Sequence, residues 1–358
     1  MLQREGKNLL RIKLTPNYSY KGEINFAFGI EDDFRGHNSY AFKVGYTMKS
    51  INEYGAEWKS DIAIGREQLF HTEFYQPLGY MQQLYVKPSY RYMQRVDIVS
   101  RENIGIAMEG NEELEITRYG SSIAFGSYLG SSYTLEAALS HYQDTLVLNS
   151  FVDIGGGFYY PLNLDVNYQA RPITFTFLTD SLDNLNFPTS GVKAQIRWTK
   201  ELPSFGSDYD YEQVYLDFEK PINFGVHNFT TYLKFGKTYN INGETALAGS
   251  FSLGGLFNLS GYTPYALNDD NMALGVLKYR YELKNGGFFG SLNVPLYTGF
   301  SLEAGGTWEN KEKPNYDIIR KSATIYAAAD TFLGPFYVAY GYCDANEQAV
   351  YLYLGEKF

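Results

Sequence analysis

Apolar and polar residues alternate with a period of two along most of this chain. Ile24, Phe26, Phe28 and Ile30 share one face, and Asn25, Ala27 and Gly29 share the other. Phe42, Val44, Tyr46 and Met48 stand against Lys43, Gly45 and Thr47. Ala56, Trp58, Ile62 and Ile64 oppose Glu57, Lys59 and Asp61. The pattern returns at Val192, Ala194, Ile196 and Trp198 against Lys193, Gln195, Arg197 and Thr199, and at Leu277, Tyr279, Tyr281 and Leu283 against Lys278, Arg280 and Glu282. Each such run is a half-buried strand. The spacing predicts roughly sixteen of them, at 22–31, 38–50, 54–66, 69–77, 82–97, 112–127, 131–144, 166–180, 190–201, 209–220, 226–238, 272–284, 292–308, 321–332, 335–343 and 347–358.

Strands of soluble sheets average about 5–6 residues, whereas about 9–11 tilted residues cross a bilayer. An even number of long strands with no intervening helix predicts an all-β fold, a 16-stranded antiparallel transmembrane β-barrel. Closure follows from the solvent, because hydrocarbon cannot satisfy the N–H and C=O groups of a free sheet edge. The apolar face would meet lipid and the charged face would line the lumen. Lys43, Lys193, Arg197, Lys278 and Arg280 are then expected to hydrate the interior. The 34 Tyr among 358 residues suit the two interfacial girdles of such a barrel. A large soluble β-sandwich or propeller also alternates, but no four-strand blade repeat is visible.

Other chemistry is sparse. The single Cys343 excludes a disulfide framework and a zinc ribbon. His37, His71, His141 and His227 lie far apart in sequence, without metal-ligand spacing. A net charge of −10 with no basic stripe speaks against nucleic acid. There is no G-x-S-x-G elbow and no phosphate-binding Gly-rich motif, so the chain is not expected to be an enzyme and no cofactor or metal is expected. No unbroken apolar 18-mer occurs, and the start MLQREGKNLL has no signal-peptide apolar region. The chain is therefore expected to be either cytosolic or a fragment of a longer, processed protein.

Three segments carry a family resemblance. The run Asp180-Ser181-Leu182-Asp183-Asn184-Leu185-Asn186-Phe187-Pro188-Thr189-Ser190-Gly191 resembles the D-x-x-D-x-x-x-F-P-x-x-G turn between the eighth and ninth strands of the BamA/TamA-type outer-membrane superfamily. Physically it is an Asx-rich turn with Pro188 fixing φ and Gly191 free to go left-handed. The run Gly249 to Tyr265, containing Gly254, Gly255, Asn258, Leu259, Ser260, Gly261 and Tyr262, resembles the long sixth extracellular loop of that superfamily, which folds back into the lumen. Ser260 stands where most members carry an Arg. Leu302-Glu303-Ala304-Gly305 stands loosely where the facing wall motif is expected, with Glu303 and Gly305 as its matches. The resemblance thus implies a plugged lumen without an Arg–carboxylate pair. The end of the chain resembles the β-signal read by the barrel-assembly machinery, with Leu352 and Leu354 at alternate positions and Phe358 last.

The L-G-G-x-x-N-L-S-G-Y form of the loop is similar to that of the patatin-like phospholipases of the type Vd autotransporter class. Glu57-Trp58 to Gly65-Arg66, Thr72 to Leu78, and Phe28 to Phe34 resemble strands of the same group. The resemblance implies that residues 1–18 are the tail of a periplasmic POTRA domain and that 19–358 are the outer-membrane barrel, with an inward-folded loop near 240–270. It implies localisation in the outer membrane of a diderm bacterium. The implied function is to anchor, and potentially translocate, an N-terminal patatin-like phospholipase passenger. The implied partners are outer-membrane lipid, the barrel-assembly machinery and that passenger, with a homodimer also open. The alternatives are a general outer-membrane assembly or two-partner secretion pore, a barrel enzyme with a rim catalytic cluster, and a diffusion porin.

Overall fold

The computed structural model describes residues 2–4, 7–9, 22–32, 38–65, 67–79, 81–100, 111–153, 159–242, 250–283, 294–310 and 316–355. Phe358, Gly249 and much of the 1–18 segment lie outside the described residues.

The long strands close into one antiparallel ring. In chain order they are β1 (Gly22–Asp32), β2 (Asn38–Met48), β3 (Glu57–Gly65), β4 (Glu67–Leu78), β5 (Leu84–Ser100), β6 (Asn111–Leu129) and β7 (Tyr133–Asp153). Next come β8 (Tyr159–Ala170 continuing as Pro172–Asp180), β9 (Lys193–Glu201), β10 (Glu212–Phe224), β11 (His227–Tyr239) and β12 (Asn271–Leu283). The ring ends with β13 (Leu296–Trp308), β14 (Arg320–Thr331), β15 (Gly334–Cys343) and β16 (Gln348–Gly355). The two parts of β8 are one strand interrupted at Arg171, since Ala170↔Tyr142 and Ile173↔Leu139 keep a single register against β7. That makes a closed barrel of sixteen strands, as the alternation predicts. Outside the ring, Leu2–Arg4 pairs with Lys7–Leu9 in a short hairpin.

The faces sort as the period of two requires. Ile62, Ile64, Phe125, Leu302 and Ile325 are exposed on the outside, while Asp61, Ala63, Ala124, Glu303 and Thr324 are buried inside. A belt of exposed isoleucine, leucine and phenylalanine is tolerable only against hydrocarbon.

Two boundaries differ from the sequence expectation for a physical reason. β7 runs to Asp153 rather than stopping at 144, and β8 starts at Tyr159 rather than 166. Asp144 reads as a polar strand end, yet it is an inward residue that receives Arg118 Nε at 2.6 Å and Nη2 at 2.7 Å. Pro161 reads as a breaker, but the upper part of β8 is in register with β7 alone, where a missing N–H is harmless. β9 ends at Glu201, and the connection to β10 folds inward there, with Tyr209 donating to Asp144 at 3.1 Å.

The ring closes where β16 meets β1, in register from Val350↔Asp32 to Gly355↔Ala27. Gly355, at φ 99°, leaves room that a side chain would not, because a Cβ there would lie 2.2 Å from the Phe26 carbonyl oxygen.

The interior is uneven. Along β12–β16 it is filled by chain, with Tyr297, Tyr326, Tyr337 and Tyr351 packed around Phe187 in one cluster. Met272, Leu274 and Val276 pack around Leu253, Leu259 and Tyr262 in another. Along β3–β7 it carries ion pairs, Lys59–Asp61 at 3.5 Å and Lys87–Glu136 at 2.9 Å. A cavity of 740 Å³ opens there, lined by Glu57, Glu73, Tyr75, Tyr85, Lys87 and Tyr128.

A loop and a turn seated on the inner wall

Besides the β9–β10 connection, two others among the described residues enter the barrel, one from each end. The first joins β11 to β12. Its backbone needs left-handed conformations at close intervals: Gly254 at φ 128°, Gly255 at 92°, Phe257 at 57°, Leu259 at 71° and Gly261 at 97°. Such residues reverse the chain tightly, and glycine accepts them at no steric cost. Within the loop, Gly254 N–H donates to Asn258 O at 2.7 Å, Gly255 N–H to Tyr262 O at 3.0 Å, and Asn258 Nδ2 to Gly254 O at 3.0 Å.

The reversal aims two successive amides at one carboxylate. Leu259 N–H and Ser260 N–H each donate to Glu303 Oε2 at 2.8 Å, and Ser260 Oγ donates to Oε1 at 2.9 Å. The wall supplies three more donors: Ser301 Oγ at 2.6 Å, Thr324 Oγ1 at 3.0 Å and Ser322 Oγ at 3.1 Å. Glu303 is 3% exposed. A buried carboxylate normally needs a cation or a full set of hydrogen bonds. Among the described residues no Lys or Arg is paired with Glu303, and six neutral donors hold it.

The neighbouring wall is cut to fit. Gly341 on β15 faces the loop tip, where a Cβ would sit 2.6 Å from Ser260 Cβ. Gly261 N–H donates to Tyr351 Oη at 2.9 Å, and Tyr262 Oη donates to Asp344 at 2.7 Å. Gly305 admits the β12 backbone, since a Cβ there would be 2.5 Å from Ala273 O. The loop also reaches the opposite wall. Tyr265 Oη donates to Glu67 at 3.3 Å with Arg95 over its ring at 5.3 Å, and Asn268 Nδ2 donates to Asp97 at 2.9 Å.

The second connection joins β8 to β9 at the end of the barrel where β1 begins and β16 ends. Asp180 Oδ1 accepts Leu182 N–H at 3.1 Å, and Asn184 Oδ1 accepts the N–H groups of Asn186 at 2.7 Å and Phe187 at 3.0 Å. Asp183 accepts Thr189 N–H at 2.8 Å, Thr189 Oγ1 at 2.5 Å and Ser190 N–H at 3.1 Å. Gly191, at φ 96°, lets the chain pass 2.1 Å from where a Cβ would meet Ser181 O. This scaffold turns Phe187 into the lumen, 3% exposed, with its ring 4.5 Å from Tyr297 and 5.6 Å from Tyr337.

Burial works to raise the Asp183 carboxyl, but the hydrogen bonds from Thr189 and Ser190 outweigh it and hold the group well below the usual carboxylate range. A depressed folded pKa contributes stability above the unfolded value near 3.9, lost as pH falls toward the folded value. Asp183→Ala should therefore lower the melting temperature at pH 7. The gap to the native chain should narrow progressively below about pH 4, as thermal unfolding in detergent at several pH values would reveal.

Lys278 and Arg280 lie inward on β12, but they do not hydrate the lumen. They are only 6% and 7% exposed and are packed among aromatic rings. Lys278 Nζ is 3.9 Å from the Phe257 ring centroid, 4.6 Å from that of Tyr337 and 4.9 Å from that of Tyr326. The Arg280 guanidinium lies 4.9 Å from Tyr297 and 5.3 Å from Phe187, and donates to Phe187 O and Pro188 O at 3.1 and 3.2 Å. The alternation marks these cations as inward. It carries no sign that Phe187 and Phe257 return to cover them.

The β16 residues Leu352 and Leu354 lie in the closing ladder, opposite Ile30 and Phe28 of β1. The structure thus brings Glu303 together with residues 259–262, keeps the 180–191 turn as a separate seat on the same wall, and leaves Leu352 and Leu354 at the seam.

Known proteins give the setting. The family model of the Omp85 superfamily domain matches residues 35–358. Among solved structures, BamA from Haemophilus ducreyi lacking POTRA domains 1–3 is similar over 94% of this chain and 70% of its own, with a TM-score of 0.71 and 17% identity. CdiB from Acinetobacter baumannii is similar over 95% of this chain at a TM-score of 0.63 and 9% identity, and CdiB from Escherichia coli over 95% at 0.57 and 10%. The chain spans 60% and 64% of those two proteins. No curated protein matches the sequence significantly.

Proposed function

Because the chain belongs to the Omp85 superfamily of outer-membrane β-barrels, we propose that it is the membrane module of a type Vd autotransporter, anchoring and exporting an N-terminal patatin-like phospholipase. In this reading residues 1–18 are the end of a POTRA domain, and the catalytic Ser lies in the passenger rather than in the barrel. The loop between β11 and β12 is the plug that keeps the pore shut between export events. The orientation shared by the superfamily puts that loop at the extracellular mouth and the β8–β9 turn at the periplasmic one.

The observation that carries the proposal is the tip Leu259-Ser260-Gly261-Tyr262 on Glu303. It is a plug seated without arginine, in the sequence form shared with the patatin-linked group. The uneven interior is consistent with it, since the loop occupies the β12–β16 wall while the β3–β7 wall keeps a polar cavity. The barrel-assembly machinery would insert the barrel by reading β16, and outer-membrane lipid would surround the exposed belt.

A patatin-type domain fused ahead of Met1 through one POTRA domain should reach the cell surface, where added protease would digest it on intact cells. A fused domain that stays protected until the outer membrane is opened would remove the export reading. The alternative, a general assembly or two-partner secretion pore, predicts several POTRA repeats and no G-x-S-x-G domain in the coding sequence upstream.

A further inference from the structure

Phe187 arrives from the periplasmic turn and Phe257 from the extracellular loop, yet both pack against one residue. The Tyr337 ring is 5.6 Å from Phe187 and 5.8 Å from Phe257. Behind that ring lie two cations at successive inward positions of β12. Lys278 faces Phe257 and donates to Tyr337 Oη at 3.2 Å. Arg280 faces Phe187 and holds the two carbonyls that follow its side chain. Tyr326 completes the Phe257 side at 5.5 Å, and Tyr297 the Phe187 side at 4.5 Å.

We propose that Lys278 and Arg280, with their tyrosines, form a two-seat binding site for aromatic side chains that couples the periplasmic turn to the extracellular loop. The site's ligands are the chain's own Phe187 and Phe257. It rests on the reading of the β11–β12 loop as the plug.

The physics is that of a shared wall. A desolvated cation–π contact and an offset aromatic pair each stabilise beyond the area they bury. Each phenylalanine holds Tyr337 and its cation in the rotamer that the other needs. Emptying one seat frees the Tyr337 ring and admits water to the neighbouring cation, whose hydration then competes with its ring contact. Binding in either seat thereby strengthens the other. The coupling must be reciprocal, because both seats bias one equilibrium. A partner that pulled on the 181–192 turn from the periplasm would weaken the plug through side chains alone.

The test is peptide-resolved hydrogen exchange on the full chain in lipid nanodiscs, using Phe187→Ala, Phe257→Ala and the double variant. Phe187→Ala should speed exchange in 254–262 as well as in its own turn, by about tenfold. Phe257→Ala should speed exchange in 181–192 by the same factor, and the double variant should fall short of the product of the two. If each substitution loosens only its own segment, or the factors multiply independently, the coupling is overturned. Should either alanine variant fail to assemble, Phe187→Leu and Phe257→Leu keep the bulk and remove only the ring, and the same comparison decides. Lys278→Met removes a charge while keeping its stem, and should loosen 254–262 before 181–192. Exchange does not depend on any exported protein, so a failed export assay and a failed coupling are told apart.

Discussion

Glu303→Ala should leave the barrel assembled and the plug unseated. The wall hydroxyls of Ser301, Ser322 and Thr324 lose a partner whether the loop is in or out, so they do not bias the loop. The Leu259 and Ser260 amides do, since both are buried against the wall only when the loop is seated. Each buried donor without an acceptor costs about 1–3 kcal/mol. Two of them shift the seated-to-free ratio by about 3 kcal/mol, or roughly a hundredfold. Glu303→Gln separates charge from shape. Its carbonyl can face the two amides. Its NH₂ can donate to two of the Ser260, Ser301 and Thr324 hydroxyls, which rotate to accept. The glutamine variant should therefore lose far less. Planar-bilayer recordings would rank the open fraction as alanine well above glutamine, and glutamine slightly above native. Equal open fractions for alanine and native chains would mean that the carboxylate does not hold the loop.

Gly341→Ala should open the pore without removing any hydrogen-bonding group. The added Cβ would lie 2.6 Å from Ser260 Cβ and 3.1 Å from Gly261 N. β15 cannot give way, because Gly341 is laddered to Thr324 on one side and Ala349 on the other. The loop must retreat by about 1 Å to restore ordinary contact. That carries its amides from 2.8 Å past the reach of a useful hydrogen bond. Gly275→Ala, on the outer face of β12, is the control for an added methyl that meets no loop, since its Cβ would meet nothing nearer than 3.7 Å. Conductance raised by the first substitution and unchanged by the second is the expected result; similar traces from both would sink the steric account.

Much of this is legible in the sequence. Alternation names the lipid face residue by residue, because a strand has only two faces and hydrocarbon tolerates only one kind. The turn at 180–191 and the glycines at 254, 255 and 261 were readable because short polar side chains and left-handed backbone leave local signatures. Lys278 and Arg280 were misread as water-facing for a related reason. Period two says that a side chain points inward, but a lumen can hold water or returning chain, and only the long-range fold decides which. Asp144 failed similarly: it resembles a strand end until Arg118, 26 residues away, is known to pair with it. The Glu303 seat was half visible. Its carboxylate stood at the expected wall position, while the three hydroxyls that replace a cation come from β13 and β14 and have no motif spacing.

The neutral cradle around Glu303 has an environmental consequence. A gate fastened by opposite charges at a wet mouth slackens as mobile ions rise, since the Debye length shrinks from about 10 Å at 0.1 M to about 3 Å at 1 M. Amide and hydroxyl dipoles in contact with a buried anion leave counterions no place to intervene. The resting open fraction of this barrel, as distinct from its conductance, should accordingly hold level from dilute medium to brine.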